Sequence, residues 1–193
     1  MVDLSGHGRH GTLNGTVDVP GRVNRARQFN GTSDYVQSPI FAVADQVTIS
    51  AWVYFVGGQP AGDYGGIVSN LNGRTNQNRL LLSGASTVLW QMEMGGVIFN
   101  HFFTLPSDQR NAWHHYALVY NGTAVSLFWD GIQIGPPQPQ SGSLDSGTTQ
   151  PTIGWGSVVP SYYHLNGTID EVMIYARALT AAEIATLAWI KQV

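Results

Sequence analysis

The sequence predicts an all-β protein, a sandwich of two antiparallel sheets with one short helix near the C-terminus. Three observations carry this expectation. Twelve short segments rich in β-branched and aromatic residues follow one another along the 193 residues, each bounded by Gly, Asn, Asp or Pro. Asn121-Gly122 and Asp130-Gly131 each separate two apolar runs, a strong hairpin signal because the tight primed turn needs positive φ at its centre. Strands do not alternate with helices, so the pattern is that of a sandwich and not of a parallel α/β sheet.

Taken in order, strands are expected at 28–29, 35–37, 47–56, 66–69, 79–82, 88–94, 97–100, 113–120, 124–129, 133–134, 151–154 and 167–175. In 47–55, Ile49, Ala51, Val53 and Phe55 form one apolar face, while Trp52 and Tyr54 load the other. The run 113–120 is doubled in the same way. A central strand covered on both sides explains such segments. The stretch 135–142 is too proline-rich for a strand and reads as a loop. Near the C-terminus, Thr180 followed by Glu183 makes a capping box, and Ile184, Leu187 and Ala188 give a short apolar stripe. Asn-Gly-Thr recurs at 14–16, 30–32, 121–123 and 166–168. This matches the glycosylation acceptor pattern, but a turn followed by a β-branched residue explains it without a sugar.

The length suits one large β domain spanning 1–193. Charged residues make up only 11% and the net charge is −3, with nine basic residues scattered along the chain. A nucleic-acid surface needs clustered Lys and Arg, so that partner is not expected. Cysteine is absent, which removes disulfides and thiolate metal sites. No apolar run approaches the roughly 18 residues needed to cross a bilayer, so membrane insertion is not expected either. Met1-Val2-Asp3 opens directly on domain sequence, and no signal-peptide pattern is visible within the 193 residues. The expectation is an excised or processed piece of a larger polypeptide.

Four segments, in this order, carry a family resemblance. Asp3-Leu4-Ser5-Gly6-His7-Gly8 through Gly11-Thr12-Leu13 forms an opening turn, and Phe29-Asn30-Gly31-Thr32-Ser33-Asp34-Tyr35-Val36 a strand entry. Trp113-His114-His115 with Trp129-Asp130-Gly131 forms a central hairpin. Gly167-Thr168-Ile169-Asp170-Glu171-Val172, with Tyr175 and Ala178-Leu179, forms a closing strand and helix entry. Together they resemble the laminin-G-like, concanavalin A-like jelly-roll domains over essentially the whole chain. The resemblance implies a jelly roll, a secreted or cell-surface (bacterial) setting and a parent protein. It also exposes one departure. Family members usually carry a strand ahead of the opening turn, and this sequence starts at the turn; the expectation is either that the strand lies upstream of this sequence or that the fold tolerates an unpaired edge, which would favour dimers or aggregation.

Related folds include glycoside hydrolases, which normally need two carboxylates flanking the scissile bond. The chain has three glutamates: Glu93 without a carboxylate neighbour at strand spacing, Glu171 beside Asp170 and therefore facing the other way, and Glu183 in the helix cap. His114 and His115 point to opposite faces of a strand and cannot share a metal. No enzyme is expected.

By the resemblance, a structural calcium ion would sit where the early turn meets the closing strand. Asp170 would supply a carboxylate, Gly31 a carbonyl, and Asn30 or Asp34 a further oxygen. Ligand contact is expected from aromatics in loops: Trp155, Tyr162 and Tyr163 before the last strand, and Tyr64 in the glycine-rich stretch. Trp90 is expected to be exposed on the concave sheet. Asn76 represents an amide-rich run that includes Asn70, Asn72, Arg74, Gln77 and Asn78. The function expected is a non-catalytic carbohydrate-binding or adhesion module that takes a poly- or oligosaccharide. The alternative is a structural or protein-interaction domain of the same fold.

Overall fold

Alternation, turn chemistry and one helix cap place the elements. The computed structural model describes residues 1–42, 45–58, 63–71, 78–156 and 163–189. The first strands are β1 (Thr12–Asn14), β2 (Val17–Pro20), β3 (Arg25–Asn30), β4 (Tyr35–Gln37) and β5 (Val47–Phe55). Next come β6 (Tyr64–Ser69), β7 (Arg79–Ser83), β8 (Thr87–Met94), β9 (Val97–Thr104) and β10 (Trp113–Tyr120). The last are β11 (Ala124–Trp129), β12 (Ile132–Gln133), β13 (Gln138–Pro139), β14 (Thr152–Ile153) and β15 (Asn166–Tyr175), followed by α1 (Ala181–Ala188).

They form two antiparallel sheets. One is seven-stranded, in the order β1-β4-β14-β6-β7-β8-β9. The other is eight-stranded, in the order β12-β11-β10-β5-β15-β3-β2, with β13 paired to β11. β5 lies between β10 and β15 at the centre of its sheet, and both of its faces are covered, all of Val47–Val53 and Phe55 being buried. Its odd residues Ile49, Ala51, Val53 and Phe55 meet Leu80, Leu82, Trp90 and Met92 of the opposite sheet in one core. On the outer face, α1 and the approach to it cover Ala117, Val119 and Phe128 with Leu179 and Ile184. The helix starts on the expected capping box, Thr180 accepting from the Glu183 amide and Glu183 reaching back.

Two turns differ from each other. Asp130 and Gly131 both take positive φ (50° and 81°), as a primed turn demands. Asn121 does not; its Oδ1 instead accepts from the Thr123 and Ala124 amides, so a side-chain-closed loop joins β10 to β11. β1 and β2 carry no strong apolar pattern, being at or next to sheet edges, and are found only in the structure. So is the two-residue β13 inside the proline-rich stretch, where Pro139 costs nothing because β13 pairs only β11. His114 and His115 diverge as expected. His114 Nδ1 meets Asp130 at 2.7 Å, whereas His115 Nε2 meets Ser50 Oγ at 2.8 Å on the outer face. Burial drives the His115 pKa down to about 4.

Candidate functional site

The outer face of the seven-stranded sheet is where side chains suited to a ligand collect. Cross-strand register sets its rows. Arg79 lies beside Gln91, which lies beside Asn100; Leu81 lies beside Leu89, which lies beside Phe102. Gln91 Nε2 donates to Asn100 Oδ1 at 2.8 Å, and Phe102 is 60% exposed. From β7 to β9 this floor spans about 10 Å across the strands.

The segment leaving β14 forms its wall. Trp155 and His164 make an antiparallel bridge, and the Gly156 and Gly66 amides both donate to the Tyr163 carbonyl, at 3.0 and 2.9 Å. Glycine permits this approach. A Cβ at Gly66 would lie 2.3 Å from the Gly156 nitrogen, and one at Gly156 would lie 2.4 Å from Leu81. The wall therefore lies flat on β6 and β7, and it buries Leu81 even though that residue faces outward.

Its rings come in two groups. Trp155 stacks on His164 (5.1 Å, 4° between planes) and leans on Tyr35 at 5.1 Å. Tyr163 meets Tyr64 edge-on at 5.2 Å, and the Arg79 guanidinium lies 5.1 Å from the Tyr163 ring. Arg79 Nη1 donates to the Gly156 carbonyl at 2.6 Å.

Of the residues expected to contact ligand, the structure brings Trp155, Tyr163 and Tyr64 to this one wall. Tyr162 and Asn76 lie outside the described residues, as do Asn72, Arg74 and Gln77. Trp90 is corrected. Its side chain is 0% exposed and packs in the core, because it pairs with Leu80 and His101 on the inward parity while Leu89 and Gln91 take the outward one. Asn78 is also buried; it ties Leu71, Glu93 and Asp145 together through its amide. Arg79, Gln91, Asn100 and Phe102 were missed by reasoning from sequence. The alternation Ile98, Asn100, Phe102, Thr104 was the available signal, but it needs the core-facing parity to be known.

The expected calcium ligands do not converge. Asn30 pairs with Asn166, so Asp170 lies four residues further along β15, about 13 Å away along the strand. Asp170 spends its oxygens on backbone amides, accepting from Val23 at 2.7 Å and Glu171 at 2.8 Å. Asn30 Oδ1 accepts from the amides of Thr32, Ser33 and Asp34, and Asp34 Oδ2 accepts from Asn30 N. These oxygens face N–H donors where a cation needs further oxygens. The four residues are thus two separate turn clamps. No group of three or more His, Asp or Glu capable of holding a metal occurs among the described residues.

A bulge between Asp170 and Met173, with Glu171 at φ 48°, breaks the alternation that was to turn Glu171 away. Burial raises the pKa of both acids, and the Asp170 charge adds to the rise at Glu171. They line a groove of about 910 Å³ beside the N-terminal segment, floored by Phe29, Ile153, Ile169 and Val172. Acids adjacent in sequence, one of them closed by amides, cannot sit on opposite sides of a glycosidic bond.

Comparison with known proteins agrees with this architecture. A family model described as the concanavalin A-like lectin/glucanases superfamily matches residues 30–185. The binding domain of Paraclostridial Mosquitocidal Protein 1 superposes with a TM-score of 0.77 at 19% identity, over 97% of this chain and 48% of that one. The binding domain of botulinum neurotoxin serotype G gives 0.73 at 14%, again over 97% and 48%. Domain 4 of AbnA, an extracellular GH43 arabinanase from Geobacillus stearothermophilus in complex with arabinotriose, gives 0.64 at 18%, over 95% and 91%. The chain spans about half the length of the two toxin domains. No curated protein matches it closely in sequence. At these identities the structural likeness speaks for the fold, and the family match covers most of the chain: it belongs to the concanavalin A-like lectin/glucanase superfamily, with a laminin-G-like jelly roll.

Proposed function

We propose that this chain is a non-catalytic module of a larger extracellular polypeptide and binds a poly- or oligosaccharide across the outer face of its seven-stranded sheet. The observation that carries the reading is the pairing of Phe102 and the Gln91–Asn100 amides with the aromatic wall of Trp155 and Tyr163. Rings stack on the apolar faces of sugars, and neutral amides supply directed hydrogen bonds to hydroxyls. The arabinotriose complex of a domain with this fold supports a sugar ligand, and the toxin binding domains support a binding role within a longer chain. Among the described residues no helix is long and apolar enough to cross a membrane. Catalysis is disfavoured on this face. Glu93 is buried there, and the nearby Asp145 gives both oxygens to the amides of Gly95 and Gly96.

The test is calorimetry against a panel of oligosaccharides, with Phe102→Ala and Tyr163→Ala as variants. Binding that both variants weaken, without change in the melt or any new product on incubation, is expected. Failure to bind any glycan, or release of cleaved sugar, overturns it.

A second reading has its own observation. β3 pairs β15 only over residues 166–169, so beyond that point the β3-facing edge of β15 has no strand partner among the described residues and opens on the 910 Å³ groove. An extended peptide added there would make the chain a protein-interaction domain.

A further inference from the structure

The charge on the ligand face narrows the class of sugar. Among the described residues Arg79 is the only arginine or lysine carried by a strand of the seven-stranded sheet. It sits at the junction of the two ligand features, in register with Gln91 and Asn100 and against the Tyr163 ring. Among the described residues its one hydrogen bond runs from Nη1 to the Gly156 carbonyl, while the Tyr163 ring lies over it. Nε is buried with no hydrogen-bond partner among the described residues. Among the described residues no carboxylate pairs with it, in contrast to Arg25, Arg110 and Arg177, each of which has an acidic partner. Glu93, two residues beyond Gln91 on the same face, is buried and already engaged.

A half-buried arginine without a counter-ion is costly, because the charge has given up water and received no anion in return. The group cannot escape by losing its proton. Burial pushes its pKa down, which reports the same uncompensated desolvation. Tyr163 and the Gly156 carbonyl hold the planar fork in place, so a ligand that binds it spends little on ordering the side chain. Such a fork matches one carboxylate, which accepts two parallel N–H bonds.

We infer that the ligand is an acidic glycan whose sugar carboxylate is received by Arg79, while neighbouring sugars lie over the Gln91–Asn100 pair and Phe102. This rests on the glycan-binding reading above. One arginine matches one carboxylate per binding register. A densely sulfated chain would ask for several cations, and the strands of this sheet provide no second one.

The wild-type protein can test the idea without any substitution. Calorimetry would compare a uronate trisaccharide with its carboxyl-reduced, uncharged counterpart. The charged sugar is expected to bind about tenfold or more tightly, with the advantage shrinking as salt is raised. In Arg79→Gln that advantage disappears, while the uncharged sugar still binds within about threefold of the wild-type affinity. Arg79→Lys keeps the charge without the fork and retains only part of the preference. Equal binding of the two sugars by the wild type overturns the assignment to Arg79 and leaves glycan binding standing. An equal loss of both sugars in Arg79→Gln shows that the residue only props the wall, which also overturns it. Absence of binding to either sugar, and to every neutral glycan, removes the broader reading as well.

Discussion

Acid should loosen this fold through one histidine, and the size of the effect follows from its surroundings. His115 is buried on the outer face of the eight-stranded sheet. Its Nε2 bonds to Ser50 Oγ at 2.8 Å, its Nδ1 is buried without a partner among the described residues, and the Trp52 ring lies edge-on at 5.5 Å. A second proton would sit on a ring that offers it no acceptor, away from water. Burial is the main cause of the drop in pKa from 6.5 to about 4, and the Asp130 charge offsets only part of it. The unfolded chain then takes up this proton below pH 6.5 and the folded chain does not until about pH 4. In that window the unfolded state binds more protons, so stability rises with pH. The contribution is fully present above pH 6.5 and lost as pH falls towards 4. At about 1.4 kcal/mol per pH unit, the loss across the window is ~3 kcal/mol. Urea unfolding followed at closely spaced pH values, in wild type and in His115→Asn, measures it. The wild type should lose this increment between pH 6.5 and 4, and the variant should show a shallower slope over the same interval. Parallel slopes in the two proteins would refute the assignment, whatever their absolute stabilities.

Four further outcomes are expected. Trp90→Ala should cost ~3–5 kcal/mol in denaturant unfolding, because it empties a fully buried site between the sheets. Phe102→Ala should stay within ~0.5 kcal/mol of wild type, being mostly exposed, and lose glycan binding instead. Thr180→Ala removes the side chain that accepts from the Glu183 amide and should cost ~1 kcal/mol, read from the same unfolding curves. Adding calcium and then chelator should leave the melting midpoint unchanged, since Asp170 and the Asn30–Asp34 turn form separate clamps. A calcium-dependent rise that Asp170→Asn abolishes would show that this carboxylate leaves its amides for a cation.

Much of the fold was legible before any coordinates. The long central strands announce themselves in Val47–Phe55 and Trp113–Tyr120, which are apolar on both sides because neighbouring layers cover both faces. The capping box of Thr180 and Glu183 depends only on residues three apart, so local chemistry suffices to place it. Short edge strands such as β1 and β13 carry too little pattern to be seen, since pairing on one side makes few demands on side chains. The bulge at Glu171 was invisible for a related reason. It changes register without changing composition, and so it reverses an argument built on strict alternation.

The candidate site divides in the same way. Trp155, Tyr163 and Tyr64 could be nominated from sequence, because aromatics in loops have no core to serve. Trp90 could not be judged. Whether a strand residue faces core or solvent is a matter of parity, and parity is set by the partner sheet. Arg79 shows the limit most plainly. In the sequence it is one of nine scattered basic residues. Only the folded chain lays Gly156 and Tyr163 over it and, among the described residues, leaves it without an acid. By itself the sequence determined the all-β class, the sandwich, the helix cap and the aromatic loop, all of which arise from short-range periodicity and turn chemistry. The tertiary structure decided which rings share a wall, that Asp170 clamps a turn, and that Arg79 lies beside that wall with no carboxylate partner among the described residues. Those outcomes depend on contacts between residues far apart in the chain, and no local pattern encodes them.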